Sequence, residues 1–297
     1  MRKSVLVTGA SSGIGLNIAQ HLATRGHLVY ATARNPNDLK FMGTLDNIIP
    51  ISLDVTNEEQ IRDMITFIKS QGNGLYGLVN NAGLGGMGSL NTWSEKELKQ
   101  IFNVNVFSPW RITNACMHML LSARGRIVNI GSQGGFITSK YFGPYTMTKQ
   151  ALETYTETLR QELSDYQIKV SLVQPGNIHT NMEENSISDS LARFHKAQFP
   201  FNDESQQVLS QLENSQIQNK DIKRDSSSPD MVSKATYHAL FNHSPKSRYL
   251  VGTKQEGDRL INALLQRLVQ FNDNEQHQYS REQLINMLDQ HITEHTD

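Results

Sequence analysis

Short apolar runs alternate along this chain with longer amphipathic stretches, and that alternation limits the folds open to it. The runs are Val5-Leu6-Val7, Leu28-Val29-Tyr30-Ala31, Ile48-Ile49-Pro50-Ile51, Gly77-Leu78-Val79, Arg126-Ile127-Val128-Asn129-Ile130, Val170-Ser171-Leu172-Val173 and Arg248-Tyr249-Leu250-Val251. Helical periodicity fills the intervals near 13–25, 57–71, 94–123, 144–165 and 229–242. Strand, helix and strand in repetition imply right-handed crossovers and a parallel sheet. Runs without polar alternation suit strands covered on both faces. The expectation is therefore α/β: a doubly wound, parallel, seven-stranded sheet with helices on both faces.

Past residue 181 the alternation stops. Residues 181–228 are rich in Gln, Asn, Ser and Asp, yet contain Met182, Phe194, Phe199 and Phe201. A helical lid and an ordinary disordered loop both answer that description. Two further helical patterns, Leu260–Phe271 and Arg281–Ile292, read as a C-terminal helical extension. No internal repeat and no clear linker divides the chain, so 1–297 reads as one domain. Its parts are a core at 1–180, an insertion at 181–228, a last helix and strand at 229–252, and the extension at 253–297.

Charge and cysteine content narrow the function classes. A formal net charge of -1 and a pI near 6.8 speak against general binding of nucleic acid or anionic membranes. The single cysteine, Cys116, forms no internal disulfide, suits a reducing compartment and reads as helix packing. No apolar run approaches the roughly 20 residues of a membrane span. The first run stops at Thr8-Gly9, short of a signal h-region of about 7–15 residues, so a soluble cytoplasmic protein is expected.

Directly after the first run comes Thr8-Gly9-Ala10-Ser11-Ser12-Gly13-Ile14-Gly15, which leads into a helical pattern. Glycines there allow a tight turn and a close backbone approach to phosphate. The helix then aims its N-terminal amides and positive dipole end at the anion. The second run ends in Ala31-Thr32-Ala33-Arg34-Asn35, with no carboxylate to bond a ribose 2′-hydroxyl. Arg34 could instead clamp a 2′-phosphate by paired hydrogen bonds, which favours NADP(H) over NAD(H).

Tyr145 and Lys149, in Gly143-Pro144-Tyr145-Thr146-Met147-Thr148-Lys149, lie four apart and so share one helix face. An ammonium beside a phenol favours the phenolate. At a separation of roughly 4 Å in a partly screened site that attraction is worth about 4 kcal/mol, an upper figure. Such a tyrosine can exchange a proton with an alcohol or carbonyl near neutral pH.

These residues closely resemble the short-chain dehydrogenase/reductase superfamily, in its compact single-domain branch, and are nearest in pattern to NADP-dependent hydroxysteroid and retinol dehydrogenase-like members. The resemblance is dense over 3–180 and looser over 229–252, and it implies a Rossmann-type fold. Asp54-Val55 matches the family's adenine site, and Asn80-Asn81-Ala82-Gly83 the segment that lines the cofactor. Asn105 matches its catalytic-site asparagine, with Asn103 the alternative register. Ser132 stands thirteen residues before Tyr145, as the family requires. Pro175-Gly176-Asn177-Ile178-His179-Thr180 matches the segment holding the nicotinamide, with Thr180 at its carboxamide.

The resemblance implies hydride transfer between a nicotinamide and a carbonyl or secondary alcohol. Tyr145 would be the general acid/base, Ser132 would hold the reacting oxygen, and Lys149 would tune Tyr145 and hold the nicotinamide ribose. Asn105 would anchor a water behind Lys149. Cofactor contacts would come from Gly9, Ser11, Ser12, Gly13, Ile14, Gly15, Arg34, Asp54, Val55, Asn81, Ala82, Gly83, Tyr145, Lys149, Pro175, Gly176, Ile178 and Thr180. Substrate contacts are expected from Ser132, Gln133, Tyr145, Asn177 and Met182. Leu84, Gly85, Gly134, Phe136, Ile137 and Phe142, with Phe194, Phe199 and Phe201 from a lid, would complete a pocket for a bulky, mostly apolar molecule such as a steroid, retinoid or aryl ketone. A homodimer or homotetramer is implied through the helices that carry Cys116 and Tyr145.

A catalytically silent NADP(H)-sensing regulator on the same fold is the rival reading. A dehydratase or epimerase is a third, which the glycine spacing opposes. No metal site is expected. His291 and His295 are four apart, but without a third candidate ligand they read as a solvated tail.

Overall fold

The computed structural model describes residues 2–178, 186–197, 202–218 and 227–294. It forms two compact units, Met1–Lys254 and Gln255–Asp297. In the first, the strands are β1 (Ser4–Val7), β2 (Leu28–Ala33), β3 (Ile48–Ser52), β4 (Gly77–Asn80), β5 (Arg126–Ile130), β6 (Lys169–Pro175) and β7 (Arg248–Val251). They make one seven-stranded sheet in the order β3-β2-β1-β4-β5-β6-β7, and every neighbouring pair is parallel.

Two helical layers cover the sheet, and the alternation of side chains along β1 shows how. Val5 and Val7 enter a core completed by Ile18 and Leu22 of α1 (Gly13–Ala23) and Val232 and Leu240 of α9 (Pro229–Phe241). Leu6 points the other way. It belongs to a second core with Met64 of α3 (Glu58–Ser70), Ile112 and Cys116 of α5 (Ser108–Ala123) and Leu159 of α6 (Gly143–Glu162). Burial pushes the Cys116 thiol up to about 12, so it serves there as a small apolar group.

Several helices depart from the sequence expectation. α2 (Pro36–Met42) was not anticipated; Asn35 caps it by accepting from the Asn37 amide at 2.8 Å, and Pro36 opens it. The helix expected over 94–123 divides into α4 (Glu95–Phe102), a π turn at Asn103–Phe107, and α5. Ser94 and Glu97 start α4 with a reciprocal capping box. Within the polar insertion lie α7 (Ile187–His195) and α8 (Asp203–Gln218). They share a small core of Ile187, Leu191, Phe194 and Leu212, packed on Met87 and Tyr141.

The second unit holds α10 (Lys254–Asn272) and α11 (Arg281–Glu294). Asn272 ties their connection by donating to Tyr279 O at 2.9 Å and accepting from its amide at 2.8 Å. No helix among the described residues is long and apolar enough to cross a membrane.

Candidate active site

The strand order reverses between β1 and β4, and open α/β sheets bind ligands at such a switch point, beyond the strand carboxyl ends. A cavity of about 1230 Å³ lies there. Its floor begins with the turn after β1, where Gly9 and Gly13 have φ of +63° and +53°. A Cβ on Gly9 would lie 2.8 Å from Ala82 Cα, and one on Gly15 would fall into the Gly9 carbonyl. Asn81 fixes this turn through Nδ2, which donates to Thr8 O at 3.0 Å and Gly9 O at 2.9 Å. Thr8 Oγ1 in return accepts from the Asn81 and Ala82 amides. Ser12 gives α1 no side-chain cap, which leaves its first amides free for an anion.

Arg34 follows β2 as an exposed residue on the cavity rim, near Asp54. Asp54 accepts from Thr56 N at 2.9 Å and Thr56 Oγ1 at 2.7 Å. Burial opposes its charge, but the Thr56 bonds and the Arg34 cation hold its carboxyl below the usual range. Val55, Gly83, Pro175, Gly176, Asn177 and Ile178 line the same cavity. A dinucleotide fits this donor set: a glycine cradle without room for Cβ atoms, open helix amides and the Arg34 cation on the rim. Thr180 and Met182, like Phe199, Phe201 and His295, lie outside the described residues.

Ser132 leaves β5 in extended conformation, and its Oγ accepts from Gly134 N at 3.0 Å. Pro144 opens α6, which presents Tyr145 and, one turn later, Lys149. Ser132, Tyr145 and Lys149 all line the cavity. A Cβ on Gly134 would stand 3.3 Å from Ser132 Oγ and 3.6 Å from Tyr145 Cε1, so hydroxyl and phenol flank one glycine. Lys149 Nζ lies 5.7 Å from the Tyr145 ring centroid and donates to Ile130 O at 2.9 Å. Burial lowers the Lys149 pKa to about 8, which leaves it largely cationic at neutral pH.

Asn105 sits in the π turn, a local widening common at functional sites. It is buried behind the cavity wall, accepts from Leu84 N at 2.8 Å, and donates to Leu84 O and Thr148 Oγ1. Asn103 is engaged elsewhere, by Arg111 at 2.7 Å. Gln133 does not line the cavity: its Nε2 donates to Val251 O at 3.2 Å. Gly134, Phe136 and Ile137 are likewise outside the lining, whereas Leu84, Gly85 and Phe142 belong to it. Phe194 is core, tilted against Tyr141 at 5.2 Å.

One wall was not foreseen. Arg193 of α7 donates from Nε to Glu97 Oε1 at 2.9 Å and from NH1 to Met87 O at 3.2 Å. Its guanidinium lies 3.6 Å above the Trp93 ring. Ser190 Oγ accepts from Met87 N at 3.1 Å. Between these side chains passes Gly86-Met87-Gly88, with φ of +152° and +156° at the glycines. A Cβ at Gly86 would approach Trp93 at 2.9 Å, and one at Gly88 would approach Arg193 at 2.9 Å. The glycine density of 83–88 was the available signal, since such spacing implies neighbours that need the room.

Comparison with known proteins identifies the family. The short chain dehydrogenase family matches residues 3–191. A 3-ketodihydrosphingosine reductase of Bacteroides thetaiotaomicron is 37% identical over 182 residues, covering 61% of this chain and 66% of that protein. The uncharacterized oxidoreductase YbbO of Escherichia coli (strain K12) is 35% identical over 254 residues, 84% of this chain and 86% of its own. A solved short-chain dehydrogenase from Streptomyces avermitilis superposes with a TM-score of 0.75 at 28% identity, covering 92% of this chain and 96% of that one. Matched across more than half its length and by a whole-chain structural counterpart, this chain belongs to the short-chain dehydrogenase family.

Proposed function

We propose that the protein is an NADP(H)-dependent oxidoreductase acting on a carbonyl or secondary alcohol. The observation that carries this is the pairing of Ser132 and Tyr145 around Gly134, with the Lys149 ammonium beside the phenol ring. NADP(H), when bound, supplies or accepts the hydride at its nicotinamide. Tyr145 gives its phenolic proton to the carbonyl oxygen in reduction and takes one from the alcohol in oxidation. Ser132 donates a hydrogen bond to the same oxygen and stabilises the charge developing there. Lys149, held by Ile130 O, favours the phenolate after the proton has left. Asn105 holds the Leu84 segment and Thr148 in register behind Lys149.

Tyr145→Phe tests the assignment: turnover should vanish while NADPH binding stays nearly intact, and comparable activity would sink it. NADP(H) preference rests on Arg34 and on the absence of a carboxylate at the end of β2. Titration of the cofactor-free chain should show tighter NADPH than NADH binding, and Arg34→Ala should erase the difference. A bulky, mostly apolar substrate is supported by Leu84, Trp93, Phe142 and Ile187 in the lining, and by a relative named for a keto-lipid. An NADPH-oxidation screen over steroids, retinoids, sphingoid ketones, quinones and sugars would identify it. We also infer a cytoplasmic homo-oligomer; exposed Phe107, Trp110 and Met147 support self-association, which light scattering would measure.

A further inference from the structure

Tyr145 and Lys149 are continued one turn further along α6 by Glu153, which neither the glycine cradle nor the proton transfer uses. Glu153 is 6% exposed, a position that a carboxylate holds only with partners. Its Oε1 accepts from Gln174 Nε2 at 2.6 Å, and its Oε2 from Arg248 NH1 at 3.1 Å. Burial drives its carboxyl pKa upward, while Arg248 and Gln174 oppose that shift.

The carboxyl also abuts the turn that starts at Ser132. A Cβ on Gly135 would lie 2.5 Å from Glu153 Oε1, and φ at Gly135 is not in the left-handed region, so only this contact demands a glycine. Next to it, the Arg248 guanidinium rests 5.1 Å from the Phe136 ring centroid. The turn is therefore packed against Glu153 at 135, faced at 136 by an arginine that Glu153 holds, and tied at 133 by the Gln133–Val251 bond. Its first residue is Ser132, whose Oγ is oriented by the Gly134 amide.

We infer that Glu153 is a positioning residue: from the helix that presents Tyr145, it fixes the turn that presents Ser132 to the same oxygen. This rests on the reading of Ser132 and Tyr145 as the reacting pair. A displacement of about 1 Å can cost about a hundredfold in rate, so a tie between the two donors matters more to kcat than to cofactor affinity. Gln174, which bonds Glu153, directly precedes Pro175, so the same carboxyl also steadies the approach to the cofactor segment.

The test compares Glu153→Ala, Glu153→Gln, Gly135→Ala and the double variant Gly135→Ala/Glu153→Ala. In the cofactor-free chain, amide hydrogen exchange over 132–137 should accelerate about tenfold in Glu153→Ala, with α3 unchanged. Glu153→Gln keeps the acceptor toward Gln174 and should restore most of the protection. Gly135→Ala alone should also loosen the turn, and adding Glu153→Ala should improve it, because the two groups compete for one space. With phenanthrenequinone as the first carbonyl probe, kcat should fall roughly tenfold to a hundredfold in Glu153→Ala at unchanged NADPH Kd. Exchange within about twofold of wild type in Glu153→Ala, no rescue by Gln, or no gain in the double variant would each overturn the inference. Turnover surviving in Tyr145→Phe would instead overturn the reading of the site and leave the exchange results standing.

Discussion

Two glycine-rich segments line the cavity and differ in what forbids a side chain. At Gly9–Gly15 the nearest obstacles are backbone: Ala82 Cα for Gly9 and the Gly9 carbonyl for Gly15. At Gly86–Gly88 they are side chains, Trp93 and Arg193. Backbone in a packed turn cannot step aside, whereas a side chain can turn or be replaced. The first segment is thus fixed by the packed backbone around it. The second is coupled to the side chains of Trp93 and of Arg193 on α7.

The largest effect is expected where relief is impossible. Gly15→Ala should cost more than about 3 kcal/mol and weaken NADPH binding at least about a hundredfold, read by thermal unfolding and cofactor fluorescence. An NADPH Kd within about threefold of wild type would break the comparison. The buried ammonium of Lys149 gives an alkaline signature. The folded-state pKa of Lys149 is about 8 against 10.5 unfolded, so the unfolded chain binds more protons between those values. Stability from this group therefore rises with pH across that window, and Lys149→Met should lack the rise in a pH series of denaturant midpoints.

The other segment should yield more gently. Gly86→Ala, at φ +152°, is expected to cost about 2 kcal/mol. Arg193→Ala should remove the Glu97 and Met87 bonds and cost about 1–2 kcal/mol, raise the carbonyl KM and leave NADPH affinity unchanged. The two changes should combine less than additively, since Arg193 NH1 is one of the atoms that the new methyl meets. Strict additivity would show the segment to be as rigid as the first. The smallest effect lies on the acid side. Partial burial opposes the Glu97 charge, yet Ser94 and Arg193 hold its carboxyl below the usual range. Its contribution is present above the unfolded value of 4.5 and is lost as pH falls through the lower folded one. Hydrogen exchange in α7 should rise over that acid range before exchange in α1 does.

The same contrast separates what could be read from the amino-acid sequence from what could not. The inner strands stood out because doubly covered strands are continuous apolar runs, β7 as a short apolar run although its burial alternates, and the glycine turn because its glycines cluster between a strand and a helix. Ser132, Tyr145 and Lys149 converge because each follows or faces the end of β5. The π turn was invisible, since one extra residue in a helix turn leaves the apolar pattern almost intact. α2 spans only seven residues, too few for a periodic signal. α7 and α8 fall where a helical lid was one of the two expectations, but a Gln-, Asn- and Ser-rich composition with few apolar positions concealed their number and bounds. Arg193 escaped notice because its partners, Trp93 and Glu97, stand about a hundred residues earlier. Gln133 was misplaced because its acceptor, Val251 O, belongs to the last strand.

That last strand has a consequence for biosynthesis. Val251 O of β7 receives both the Gln133 side chain and the Gly176 amide, and Arg248 completes the pairing of Glu153. A chain still emerging from the ribosome can shape its glycine turn and its first five strands long before residue 248 appears. Until then the turn of Ser132 lacks two of its anchors. The turn at 132–137 is therefore completed only when the edge strand pairs with β6.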